Sequence, residues 1–253
     1  MRKRYKKPFL TKVIARVDFG FGEEELKKRV PASVNKLLVP LFPIPEPRKV
    51  IAAQLMVGGE QLKEQQKEDV ETHWLYHGKN RKKRAVVAPT HFLVEYDVYN
   101  SFEELKSHFL PVLEELFKSI EGLQVTRLGL RYIDEITCDD NNVFEWSEYL
   151  NMPLLAAFSI PHDGKEVLRV FNNFTIRDHD MILRFQYGMH NPDFPAPIKK
   201  KIFILDLDAY TEGLLEFGDI EEKLEKFHEA IGNLFEQVIT DKLREIMGEI
   251  NAE

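Results

Sequence analysis

The chain predicts an α+β fold: two tandem β-α-β4-α units forming a large curved antiparallel sheet with helices on one face. Three observations carry this reading. A strand-like segment occurs twice, Phe92 to Tyr99 and Phe203 to Tyr210, at an offset of 111 residues. The helix-like stretch after each copy also matches, at an offset of 118: Ser101, Glu104, Phe109, Leu113 and Phe117 correspond to Asp219, Glu222, Phe227, Ile231 and Phe235. Between the copies, β-rich segments follow one another through short turns, the pattern of an antiparallel sheet, and helices at the ends of each unit must cover one face of it.

The elements follow in order. Val13 to Phe19 alternates as a strand should. Glu23 to Leu38 reads as a helix that Pro31 must kink or divide. Pro40, Pro43, Pro45 and Pro47 argue against regular structure. Val50 to Val57 is β-rich, and Glu60 to Asp69 reads as a long hairpin connection. Val70 to His77 and Arg84 to Ala88 pair around Gly78, and His91 to Tyr99 is the first copy of the shared strand. Ser101 caps a helix to about Ile120, with Glu104 at the capping-box position.

The second half repeats the order. Leu123 to Ile136 is a strand that matches Val13 to Val17 at offset 115, with Arg131 on Arg16. Asp139 to Asn142 reads as a turn and Val143 to Leu150 as a short helix. Leu154 to Ile160, Val167 to Arg177 and Met181 to Tyr187 read as strands, followed by the second shared strand. Asp219 caps a last helix to about Met247. The domain reading is therefore a basic tail at 1–8, one unit at 9–121 and another at 122–253.

Composition bounds the function. Hydrophobic content of 43% over 253 residues is ordinary for a globular chain. One cysteine excludes an intrachain disulfide and a cysteine-rich zinc site. Lys12 and Arg16 interrupt the apolar stretch from Phe9 to Val17, so the expectation is a cytoplasmic protein without a signal peptide. No apolar run reaches the roughly 18 residues of a membrane span. The net charge of −7 is uneven: 211–253 is strongly acidic, while 1–12, Lys79 to Arg84 and Lys199 to Lys201 are basic. Each basic cluster could meet an anion, or serve as a solvated tail, a hairpin tip or an edge-strand gatekeeper.

Several segments together resemble a known family. They are His73-Trp74 before a hairpin, Thr90-His91-Phe92-Leu93-Val94 before a long helix, and Arg127-Leu128-Gly129-Leu130-Arg131-Tyr132-Ile133 after it. On these the chain resembles the sporadically distributed prokaryotic family of uncharacterised proteins. The resemblance implies a similar length and a patchy occurrence of the kind seen for mobile elements or defence. It implies no established activity and transfers no catalytic residue. On topology alone the arrangement is similar to the saddle of the TATA-box-binding protein fold, and a fold carries no function by itself.

Candidate sites come from the strand faces. Phe92, Val94, Tyr96 and Val98 belong to the core face, so Glu95, Asp97 and Tyr99 point away from it, as do Asp206, Asp208 and Tyr210. Paired carboxylates can bind a divalent cation or share a proton. Arg16 and Arg131 also point off the core face. The expectation is that Arg16 meets Glu95 or Asp97 and that Arg131 meets Asp206 or Asp208, as structural cross-strand charges. His73 and His77 lie on one strand face without an evident third ligand, and Asp178-His179-Asp180 reads as a turn. No metal, cofactor or catalytic residue is assigned.

Alternation further gathers Arg169, Asn173, Thr175 and Arg177 on one side of a strand, with Arg184 and Gln186 on the next. With Arg131 these make Arg131, Arg169, Arg177 and Arg184 the candidates for binding an anion or a partner. The leading expectation is a non-catalytic binding or interaction protein, oligomeric, using the open sheet face or an edge. The rival is an enzyme or ligand binder for a phosphorylated or nucleotide substrate, clamped by Arg131, Arg169 and Arg184. A third reading is sequence-independent nucleic-acid binding. A deep apolar pocket with converging polar groups would favour the ligand binder.

Overall fold

In the computed structural model, residues 4–53, 68–138, 142–160 and 165–250 are described. The predicted α+β class holds: nine strands of the described residues form one antiparallel sheet, with helices packed on one side. In chain order the elements are β1 (Arg4–Tyr5), β2 (Leu10–Phe19), α1 (Glu24–Lys28), α2 (Ala32–Leu41), β3 (Ile44–Ala53), β4 (Glu68–His77), β5 (Lys83–Ala88), β6 (His91–Tyr96) and α3 (Phe102–Ser119). Then come β7 (Val125–Thr137), a 3-10 helix at Met152–Ser159, β8 (Val170–Asp178), β9 (Met181–Met189), β10 (Ile202–Leu215), α4 (Phe217–Val238), α5 (Asp241–Met247) and β11 (Glu249–Ile250). The strand order is β3-β4-β5-β6-β2-β7-β10-β9-β8, while β1 and β11 form a separate two-stranded sheet.

The centre of the sheet is the pairing of β2 with β7, in which Val13, Ala15 and Val17 stand opposite Tyr132, Leu130 and Leu128. All six are buried. The flanking strands add Phe92 and Val94 from β6, and Leu205, Leu207 and Ala209 from β10, all fully buried. Over this face lie α3 and α4, each with an apolar stripe at helical spacing. Leu105, Phe109, Val112 and Leu116 face inward on α3, and Ile220, Leu224, Phe227 and Ile231 on α4. Ser101 caps α3 by accepting the Glu104 N–H at 3.1 Å. Among the described residues no helix is long and apolar enough to cross a membrane.

Several expected elements differ. Pro31 divides the first helix into α1 and α2 rather than kinking it. The prolines that argued against structure are accommodated: Pro40 lies in the last turns of α2, and Pro45 and Pro47 lie in β3. Because β3 is an edge strand, it can leave their missing N–H groups on its unpaired side. Residues 139–141 of the expected turn and most of the long connection fall outside the described residues. Val143 to Leu150 forms turns, not a helix, and Leu150 bridges Ile239.

The expected strand at Leu154 to Ile160 is instead the 3-10 helix. Pro153 at its first turn presets helical φ and removes a ladder donor, and Leu154 and Leu155 still reach the core. The second half therefore has one strand fewer than the β-α-β4-α order requires. The last helix also breaks. Ile239 leaves the helix to make its bridge, and Thr240 caps α5 by accepting the Leu243 N–H at 3.4 Å. Residues 4–8 of the basic tail are not loose: Arg4–Tyr5 pair with Glu249–Ile250, and the Lys6 and Lys7 N–H groups bond the carbonyls of Gly248 and Met247.

Candidate functional site

Most of the sequence-derived candidates lie on the open sheet face, and most of their charge is matched there. Arg131 grips Asp206 with both ends of its fork, at 2.7 and 2.5 Å, as expected for this pair. Arg184 reaches Asp208 at 2.8 Å, and Arg127 stands 3.6 Å from the same carboxylate. Arg16 does not meet Glu95 or Asp97. It bonds Asp18, two residues along its own strand, at 2.5 Å. The register explains this: Arg16 stands opposite Leu93, whereas Glu95 stands opposite Ile14 and accepts from Lys12 at 3.0 Å and Arg84 at 2.9 Å. Burial would raise the Glu95 carboxyl, but those two hydrogen bonds outweigh it and hold it below the usual range. Asp97, past the end of β6, lies 3.6 Å from Lys12.

Arg177 is exposed, opposite Ile182, and shares its face with Arg184. Arg169 precedes β8, and its guanidinium covers the Phe194 ring at 4.9 Å. The expected clamp consists of Arg131, Arg169 and Arg184. Two of its members hold carboxylates and the third lies off the strand. The basic clusters are drawn in as well. Arg81 bonds Glu46 at 2.9 Å, Lys83 sits over the Phe42 and Tyr96 rings, and Lys201 is buried over Trp146 and Tyr149. His77 is buried, with Nε2 at 3.5 Å from Glu46. Among the described residues no group of three or more His, Cys, Asp or Glu side chains could hold a metal ion.

The other face holds a site that the expectations missed. A cleft of about 960 Å³ lies between the sheet and the helices. Its floor is formed by β7 and β10, through Tyr132, Asp134 and Leu207. One wall is α4, from His228 to Glu236, and another is the segment Tyr99 to Glu103 that leads into α3. Arg4, Tyr5, Lys6, Arg244 and Ile250 close one end. That end is tied together: the Tyr5 hydroxyl donates to Glu236 at 2.6 Å, and Arg244 donates to Glu236 at 2.9 Å and to Asp241 at 2.7 Å. Burial and the Glu236 bond push the Tyr5 phenol upward.

Asp134 is the unusual member. The alternation of β7 sends Leu128, Leu130, Tyr132, Asp134 and Ile136 to the helix side, and all five are buried. A carboxyl thus occupies one place in an apolar column. Its neighbours across the ladder are Leu205 on β10 and Leu10 on β2. It is 5% exposed, and among the described residues its carboxyl has no hydrogen bond or ion pair. Burial alone raises it to about 7.

Beside it the Tyr132 hydroxyl is hydrogen-bonded to Tyr99 Oη and to His228 Nδ1, each at 2.9 Å. Phe102 stacks on the His228 ring with centroids 4.1 Å apart. Tyr99 was expected on the open face, but β6 ends at Tyr96 and alternation stops there. Gly232 sits inside α4, lines the cleft, and a Cβ added to it would meet nothing within 4 Å. Comparison with protein-family models, curated proteins and solved structures finds no match to this chain.

Two outcomes follow from this geometry. Arg131→Met should cost about 2 kcal/mol in urea denaturation, since it strips the buried Asp206 of its partner and a half-buried pair falls between surface and interior values. A loss under 0.5 kcal/mol would mean that water replaces the pair freely.

Asp134 sets the second. Because its folded value lies above the ordinary value of 3.8, the folded state holds the proton more tightly than the unfolded chain. The stability that this group contributes is then greatest at acid pH and falls as pH rises to about 7. At roughly 1.4 kcal/mol per pKa unit the whole fall is on the order of 4 kcal/mol. Asp134→Asn should remove this contribution and be the more stable protein at pH 8. Wild-type and variant curves of stability against pH that run parallel would contradict it.

Proposed function

We propose that this protein binds a small molecule in the helix-side cleft, with Asp134 as the buried polar anchor. The observation that carries this reading is an unpartnered carboxyl on the floor of a large cleft, where the strand pattern calls for an apolar side chain. Such groups are costly to fold around and collect at functional sites. Gly232 supports it independently. Glycine inside a helix costs about 1 kcal/mol relative to alanine, and here it preserves open space over the same cleft. Apolar walls with a few converging polar groups are the usual form of a ligand site. The open sheet face supports a binding role less well, because its arginines are largely matched by carboxylates.

We also infer that the two halves are related about the β2–β7 seam. The strand order supports this, since β6, β5 and β4 lie beyond β2 as β10, β9 and β8 lie beyond β7. With Ala15 taken as the counterpart of Leu130, the pairing makes Val94 the counterpart of Ala209. The shared strands then align four residues away from their best sequence match. In that relation Phe19 is the counterpart of Asp134. The first half fills with an aromatic ring the place that the second half gives to the carboxyl.

A fragment library screened by saturation-transfer NMR tests the cleft. The hits should compete for one site. They should vanish in Gly232→Phe, which projects a ring from a position where a Cβ meets nothing within 4 Å, with the melting temperature of the variant measured alongside. Hits that survive Gly232→Phe and disappear in Arg131→Met would move the site to the open face.

A further inference from the structure

Resting on the cleft reading above, we propose that the ligand is a cation: an alkylammonium with an apolar or aromatic body, its N–H groups donated to Asp134. The floor of the cleft carries one acidic side chain, and the described residues supply it with no cation. The charged side chains elsewhere on the cleft are exposed or half-buried. Among them Arg244 is engaged by Glu236 and Asp241. A charge taken into a low-dielectric cleft gains most from a partner of opposite sign with which it can hydrogen-bond. A phosphorylated or carboxylate ligand would meet like charge, or a carboxyl that must hold its proton, at Asp134.

The walls fit the same class. Tyr99, Phe102, Tyr132 and Phe235 line the cleft. Aromatic faces attract a desolvated ammonium through the ring quadrupole, and they pack against an apolar body. The hydrogen-bonded run of Tyr99, Tyr132 and His228 fixes the ring beside Asp134, so little ordering is left for the moment of binding. The burial that raises the Asp134 carboxyl acts in the same sense, because an arriving ammonium replaces the proton it holds.

Calorimetric titration of the full chain with phenethylamine, 2-phenylethanol and phenylacetate, at one pH above neutrality, tests the class. Phenethylamine should bind at least tenfold more tightly than 2-phenylethanol, and phenylacetate should not bind measurably. In Asp134→Asn the amine should lose its advantage over the alcohol, and the melting temperature should be no lower than wild type. The alcohol or the acid matching the amine in the wild type, with all binding lost in Gly232→Phe, would overturn the cationic ligand and leave the cleft standing. Failure of all three to bind, or binding that Gly232→Phe does not disturb, would overturn the cleft as well.

Discussion

The antiparallel pairing of β2 with β7 is the constraint on which the rest depends. It joins the two halves of the chain at the middle of one sheet, with Val13, Ala15 and Val17 against Tyr132, Leu130 and Leu128. Period two is not negotiable in a strand, and a slip of one residue would turn every core side chain to the open face. Once the apolar members of β7 are committed to the helices, Asp134 must follow them. The cleft's acid is therefore placed by the same register that builds the core. The chain cannot expose it without giving up Leu128, Leu130 and Ile136.

The two faces of the sheet treat charge in opposite ways. On the open face carboxylates and guanidinium groups alternate and pair, as Arg131 with Asp206, Arg184 with Asp208, and Lys12 and Arg84 with Glu95. Such pairs add modestly to stability and keep the surface solvated. On the helix face one carboxyl stands among leucines and tyrosines. A structural role would be served better by an apolar residue of similar size. That difference is the reason for placing function in the cleft and architecture on the open face.

Much of the fold was legible from residues. Alternation located the central strands, Ser101 and Glu104 marked the start of α3, and Pro31 marked a helix boundary. The misreadings have physical causes. Pro45 and Pro47 sit in a strand because that strand is an edge, which no local pattern reveals. Leu154 to Ile160 is as apolar as a strand, and its choice of a 3-10 helix turns on Pro153 and on docking against the core. The arginines were placed on the correct face in β7 and β9, but their partners depend on register, so Arg16 took Asp18 where Glu95 was expected.

The cleft is marked only weakly in the sequence, where the outward-facing charges are the more conspicuous pattern. Its signal was present in one column, Leu128-Leu130-Tyr132-Asp134-Ile136, where a single acid breaks an inward apolar series. The stripe of α4 carried the second sign, a glycine where alanine would serve the helix better. Tyr99, His228 and Arg4 to Lys6 reach the cleft only through tertiary packing, and nothing local marks them.

Carbon-13 NMR of the side-chain carboxyls, titrated from pH 4 to pH 9 in the free protein and assigned with Asp134→Asn, tests the central claim most directly. The Asp134 resonance should move with a midpoint near 7. A midpoint in the ordinary range near 4 would contradict it, because the group would then be solvated or already paired, and the cleft would have no buried anchor to offer.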